Sequence, residues 1–245
     1  MVENFEVFSE MSHPIRLKIL FLVSEGNKSL KDLTEHINLS KPEISRHVSR
    51  LQEVNLLGKD NKEYLLTTLA ETLLGMYAPI EFILENQSYF ENHRIDLPPP
   101  LFHGILALNN TEIIEGVGNV MIKLQEVVES AQEIFKVLTS QMFPLKFKQP
   151  IQEGYYHVLP KNVSPNSEIE SFYKRRIEVR TSSNISHSIC LVDNQKGFIF
   201  FPDLEGKTDF TIGFFIENRE ALNYLESVWN YFWNQGTPFV TLTDL

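Results

Sequence analysis

Asn38-Leu-Ser-Lys-Pro-Glu-Ile-Ser-Arg-His-Val-Ser-Arg-Leu-Gln-Glu-Val-Asn-Leu-Leu57 reads as the turn and second helix of a helix-turn-helix. At about 100° per residue, Ile44, Val48 and Leu51 fall on one face, while Pro42, Ser45, Arg46, Ser49, Arg50 and Glu53 fall on the other. Ser40 is placed to accept from first-turn amides and Glu43 to reach back to it, so Ser40-Lys-Pro-Glu43 predicts a capping box with proline tolerated in the opening turn. The polar face combines two guanidinium forks with two small hydroxyls, Ser45 and Ser49. Such a face reaches base edges or phosphates without blocking close approach of the backbone. An ordinary solvated helix carries similar cations, so the neighbouring segments decide between the two readings.

Working outward, His13-Pro-Ile-Arg-Leu-Lys-Ile-Leu-Phe-Leu-Val23 repeats apolar residues at helical spacing and stops at Glu25-Gly26. Ser29-Leu-Lys-Asp-Leu-Thr-Glu-His-Ile37 predicts a short supporting helix, with Ser29 and Asp32 in capping positions and Leu30, Leu33 and Ile37 facing in. Gly58 to Thr68 carries the turn residues and flanking apolar residues of a hairpin, which would form a wing with Lys59 and Lys62 near its tip. Those lysines are placed for a phosphate or the minor groove.

These segments resemble an ArsR-type winged helix over residues 10 to about 75, through His13-Pro-Ile-Arg-Leu-Lys-Ile-Leu20, Leu39-Ser-Lys-Pro-Glu-Ile-Ser-Arg-His-Val48 and Tyr64-Leu-Leu-Thr-Thr-Leu-Ala-Glu71. The resemblance implies that Lys41, Ser45, Arg46, His47 and Arg50 lie toward double-stranded DNA. That agrees with the helical projection except at His47, which projects to the flank of the core face and is expected to pack beneath the phosphate backbone. Many such regulators sense metals through cysteine pairs and histidines. Here Cys190 is the single cysteine, and the seven histidines show no HxxxH or HxH spacing, so no metal site is expected.

The 245 residues exceed what a winged helix needs by about 150, enough for a second core. The opening Met1-Val-Glu-Asn-Phe-Glu6 lacks a basic and a hydrophobic targeting region, and no apolar run approaches the ~20 residues of a membrane span, so a cytoplasmic protein with no membrane association is expected. The net charge of −10 excludes a general nucleic-acid coat. Between residues 28 and 62 the balance reverses, with seven cations against five acids. Affinity for DNA should therefore be salt-sensitive and need two copies of the reader.

Residues 68–92 predict a long, largely helical stretch, with Leu69, Leu73, Leu74, Tyr77, Ile80, Ile83 and Leu84 at helical spacing and a kink or break at Pro79. It is read as a linker and dimerisation helix, which would space two recognition helices about one DNA turn apart. Pro98-Pro-Pro100 marks the domain boundary. Beyond it, a helix is expected at 101–108, a strand at 111–115, a helix at 117–131 and a strand at 133–139. Strands follow at 155–159, 176–181, 187–192, 197–202 and 209–216. Asn218 should cap a closing helix, Arg219 to Gln235, with Leu222, Leu225, Val228, Trp229 and Phe232 inward. This half resembles the effector domain of archaeal methanogenesis-regulator-like transcription factors, in Arg94-Ile-Asp-Leu-Pro98 and Ala221-Leu-Asn-Tyr-Leu-Glu-Ser-Val-Trp-Asn-Tyr-Phe232. The resemblance implies a regulatory α/β domain without naming an effector.

Catalysis lacks a motif. Glu115-Gly-Val-Gly-Asn119 has a glycine loop without a third glycine, His157 lacks a phospholipase-like His-x-Lys, and His187 and Cys190 should lie on opposite faces of a strand. Lys174-Arg-Arg176 reads as a solvated strand entrance balanced by Glu168, Glu170 and Glu178. Tyr231 and Trp233 project away from the Trp229/Phe232 stripe and suggest a subunit contact.

The fold class is therefore α+β: a winged helix-turn-helix at 1–92, followed by a mixed α/β regulatory domain at 93–245. The function expected is a homodimeric, sequence-specific DNA-binding transcriptional regulator, not an enzyme, with no cofactor. The recognition helix is 41–54, and the contacts are Lys41, Ser45, Arg46, His47, Ser49, Arg50, Lys59 and Lys62. The alternatives are a winged helix used as a protein-interaction module, or a small-molecule methyltransferase-like enzyme.

Overall fold

The computed structural model describes residues 4–141, 146–161, 177–183 and 185–239. They divide into two compact units, Met1–Glu81 and Phe82–Leu245. The division lies inside a helix, N-terminal to the boundary read at 92/93, because Phe82, Tyr89 and Leu97 pack into the second unit's core.

The first unit contains α1 (Asn4–Met11), α2 (Pro14–Ser24), β1 (Lys28–Ser29), α3 (Leu30–His36), α4 (Lys41–Glu53), β2 (Leu57–Asp60), β3 (Glu63–Leu66) and most of α5 (Thr68–Glu85). Helix α2 begins where the extended His13 accepts the Ile15 N–H on Nδ1 at 3.2 Å, with Pro14 opening the helix where its missing N–H costs nothing. At α3 the expected cap is present: the Asp32 carboxylate accepts from Ser29 N–H at 2.8 Å and Ser29 Oγ at 2.6 Å, while Asp32 N–H donates to Ser29 Oγ at 3.3 Å. Strands pair antiparallel in the order β1-β3-β2, with Leu57 opposite Leu66 and Asp60 opposite Glu63. Asn61 turns the wing tip at φ 53°, the left-handed region an asparagine tolerates. Ile19, Leu20, Leu33, Ile44, Leu51 and Leu56 form a closed aliphatic centre. Pro79 is carried within α5, and the helix stops at Glu85 rather than at the proline. Of the apolar residues at helical spacing on that helix, Leu69, Ile80 and Leu84 are exposed.

The second unit adds α6 (Gln87–Phe90), α7 (Pro99–Phe102), a 3-10 turn at His103–Leu108, β4 (Glu112–Glu115), α8 (Val117–Glu129), β5 (Ile134–Leu138), β6 (Gly154–Pro160), β7 (Ile177–Ser182), β8 (Ser188–Val192), β9 (Lys196–Phe200), β10 (Ile212–Ile216), α9 (Arg219–Gln235) and β11 (Thr237–Pro238). The helix expected at 101–108 is this short helix plus 3-10 turn. The strand expected from 209 starts at Ile212, because the Asp209 carboxylate accepts the Thr211 N–H at 2.7 Å and turns the chain first.

Eight strands form one sheet in the order β11-β7-β6-β5-β8-β9-β10-β4. Among the described strands β5, β6 and β7 run parallel to one another, and each of the other pairings of the sheet is antiparallel. Alternation along the strands divides the core in two. Leu138, Ile189, Leu191, Ile199, Phe214 and Ile216 face α9, through Leu225, Val228, Trp229 and Phe232. Phe135, Val137, Cys190, Val192, Phe198 and Phe215 face α8, through Val120, Leu124, Val127 and Val128. Gly197 lets β9 pass under α9, since a Cβ there would stand 2.8 Å from the Cys190 carbonyl and 2.9 Å from Leu225. Asp193, in the turn after β8, accepts from the N–H groups of Gln132, Glu133 and Ile134 at 2.9, 2.9 and 2.7 Å and so fixes the start of β5.

Trp233 corrects one expectation. It does not project away from Trp229 but stacks on it at 4.8 Å, because residues four apart share a helix face, and it also meets Tyr156 edge-on at 5.5 Å and lies under the Arg180 guanidinium at 4.4 Å while staying half-buried. Lys174-Arg-Arg176 lies outside the described residues. Among those residues no helix is long and apolar enough to cross a membrane, and no group of three or more His, Cys, Asp or Glu side chains is arranged to hold a metal ion.

Candidate nucleic-acid interface

Helix α4 separates its two sides as its sequence requires: Ile44, Val48 and Leu51 are buried, while Lys41, Pro42, Arg46, Ser49, Arg50 and Glu53 are exposed. Ser40 N–H and Oγ both donate to one Glu43 carboxylate oxygen, at 2.9 and 2.6 Å. The Ser40 hydroxyl, followed by its N–H, holds the Glu43 carboxyl below its ordinary range. Glu43 is thus committed to the helix start.

The remaining polar residues of the helix differ in what they have free. Arg46 is exposed and has no ion-pair partner among the described residues. Arg50 is held by Glu53, Nη1 to Oε2 at 3.2 Å, an exposed pair worth a few tenths of a kcal/mol that a phosphate can displace. The Ser49 hydroxyl donates back to the Ser45 carbonyl at 3.0 Å, so it keeps lone pairs but no free donor. Ser45 is half-buried. Lys59 and Lys62 are exposed on either side of the wing turn, and Lys59 Nζ lies 5.4 Å from the Tyr64 ring centre.

His47 is half-buried, as its position on the flank of the helix implies, and its ring stands 4.8 Å from that of His13 at a tilt of 51°. Burial, then His13, Arg16 and Arg46, hold its imidazole below the usual histidine range. Arg16 is in turn fixed by α1: its Nε donates to the Glu10 carbonyl at 2.9 Å and lies 2.7 Å from Glu10 Oε2. Sequence reasoning missed α1, and with it this anchor beneath the recognition helix. A sparse hint was available in the pattern Phe5, Phe8 and Met11, but only Met11 of these is buried.

Residues 13–59 match the model of the bacterial regulatory proteins of the arsR family. The transcriptional repressor SdpR of Bacillus subtilis is 36% identical over 69 residues, which cover 28% of this chain and 77% of that protein. An HTH-type transcriptional regulator of Methanocaldococcus jannaschii is 27% identical over 60 residues, 24% of this chain and 63% of its own length. Among solved structures, the archaeal chromatin protein TrmBL2 aligns over 97% of this chain and 100% of its own at 13% identity, with a TM-score of 0.41. The chain therefore belongs to the arsR family: it is a DNA-binding transcriptional regulator whose helix-turn-helix lies in its N-terminal unit.

Proposed function

We propose that the protein is a sequence-specific, homodimeric transcriptional regulator that lays α4 in the major groove. Arg46 and Arg50 are the main cationic contacts, Lys41, Ser45 and Ser49 line the approach, and Lys59 and Lys62 hold phosphates from the wing. The observation that carries this reading is the charge accounting on α4. Its acids Glu43 and Glu53 are engaged within the helix, whereas Arg46 is exposed with no ion-pair partner among the described residues. A local cationic face on an acidic chain suits recognition of a short site rather than general coating.

Dimerisation is supported by apolar side chains exposed on two helices of the first unit: Phe5 and Phe8 on α1, at 84% and 63%, and Leu69, Met76 and Ile80 on α5, at 41%, 49% and 50%. Such side chains on a monomer mark a contact surface. A two-fold pairing would set two recognition helices about one DNA turn, ~34 Å, apart.

The test is selection of a duplex from a random pool with the full chain, followed by titration of wild type and Arg46→Ala/Arg50→Ala across a salt series. Loss of the two guanidinium groups should weaken binding at least tenfold and lower the slope of log K against log salt by about 2 per subunit. Equal binding by the variant, or no enrichment of any sequence, would leave a winged helix used to hold another protein as the better reading.

A further inference from the structure

The contact between His13 and His47 couples the first turn of α2 to the recognition helix, and the DNA reading itself makes no use of it. We propose that DNA binding by this regulator is proton-linked: His47 takes up a proton as α4 docks on phosphates, so that affinity rises as pH falls. This deepens the DNA-binding reading and rests on it.

Four charged or titratable groups act on the His47 ring: His13 and Arg16 from α2 and its cap, and Arg46 and Glu43 from α4. Of these, Glu43 is the acid, and its carboxylate is engaged by Ser40. The other nearby acid, Glu10 of α1, is spent on Arg16. His13 Nδ1 accepts the Ile15 N–H at 3.2 Å and is committed to the cap of α2. The proton taken up on docking is assigned to His47. In the free protein burial of the ring, and after it the surrounding cations, oppose it. Duplex DNA carries one phosphate charge per about 1.7 Å of helix axis, and phosphates brought to Arg46 offset the cationic part of what keeps the ring uncharged, while supplying negative charge beside it. The bound form thus holds its proton more firmly than the free form. By linkage, affinity grows as pH falls through the interval between the two pKa values, and it is flat well above both.

The experiment uses the full chain and a fluorescent duplex carrying the site enriched from the random pool, at pH 8 and pH 6 over a salt series, with circular dichroism confirming the fold at each pH. Wild type should bind about five- to tenfold tighter at pH 6, with a salt slope steeper by nearly 1 per subunit, the signature of one added cation. His47→Gln should abolish both changes. His36→Gln, on the exposed end of α3, should keep them. His13→Asn retains a side chain suited to the cap while removing the facing ring, and it should move the pH midpoint of binding upward. Should His47→Gln fold poorly, calorimetry of wild type in two buffers of different ionisation enthalpy counts the proton directly, and proton uptake near pH 6.5 is expected. Binding equally tight at both pH values, or a His47→Gln variant with the wild-type pH response, overturns the linkage alone. Absence of binding at either pH overturns the DNA reading and the linkage with it.

Discussion

The two units place their polar side chains differently. Among the described residues, every buried polar side chain belongs to the second unit: His93, Thr139, His157, Thr181, Ser182, His187, Ser188 and Thr208. The buried side chains of the first unit are apolar ones, Tyr64 included, and its polar groups face outward on α4 and the wing. The reader is closed by helices and a short hairpin, whose backbone groups are satisfied locally, so an aliphatic centre suffices. The second unit ends several strands inside its own packing, and hydroxyls tie those ends together. Ser188 Oγ donates to Thr139 Oγ1 at 2.9 Å, and Thr208 Oγ1, 2.9 Å from Ser140 Oγ, donates to the Ser186 carbonyl at 2.8 Å. A surface built for charge thus sits on an apolar core, while a large sheet accepts buried polarity as the means of fixing its loops.

The comparison can be broken first in the aromatic layer of the second unit. Phe198 is fully buried in the second unit, parallel to Phe200 at 5.3 Å and against Phe215 at 5.3 Å. Phe198→Ala should cost about 3–5 kcal/mol in urea denaturation. A loss below 1 kcal/mol would show that this aromatic layer is not the packed core described.

Acid should then separate the units. Burial holds His157 and His187 neutral, their pKa values pushed down to about 3 and about 4, whereas an unfolded histidine titrates near 6.5. The unfolded chain therefore binds protons first as pH falls. The stability due to keeping these rings neutral is complete above about pH 6.5 and is lost on the way down to pH 4 and 3. At pH 5 each should have cost about 2 kcal/mol relative to pH 7, carried by the second unit. Denaturation followed by tryptophan fluorescence reads that unit, because Trp229 and Trp233 both lie in α9. A midpoint unchanged between pH 7 and pH 5 would contradict the buried neutral rings.

The smallest effect sharpens the picture of the reader. Ser29→Ala removes the hydroxyl from the α3 cap and should cost about 1 kcal/mol, without the pH dependence expected of the second unit. A cost near zero would mean that the backbone N–H of Ser29 alone, at 2.8 Å from Asp32, secures the helix start.

Much of the reader was legible before any tertiary contact was known. The starts of α2, α3 and α4 follow from Pro14, Ser29 with Asp32, and Ser40 with Glu43, and the wing follows from Asn61 between two apolar runs. The closing helix was legible for the same reason, with Asn218 accepting the Ala221 N–H at 2.8 Å. What escaped notice had no local signature. Helix α1 exposes Phe5 and Phe8 and so lacks a clean apolar stripe, while β1 and β11 are two residues each and exist only because a neighbouring strand accepts them. The contact between His13 and His47 joins a helix cap to the next helix but one, which no spacing rule reaches. Exposure of Leu69 and Ile80 on α5 is likewise decided by what else covers the helix.

The sequence by itself determined the helix starts, the wing turn, the amphipathic division of α4 and the alternation of the strands, because each depends on residues within a few positions and on fixed periods of 3.6 and 2. Only the tertiary structure decided the strand order, the parallel placing of β5, β6 and β7, the pairing of Lys136 with Glu226 at 2.5 Å and the closing of Trp233 against Arg180. Those contacts join residues far apart in the chain, and their energies exist only once packing has brought the partners together and excluded water from between them.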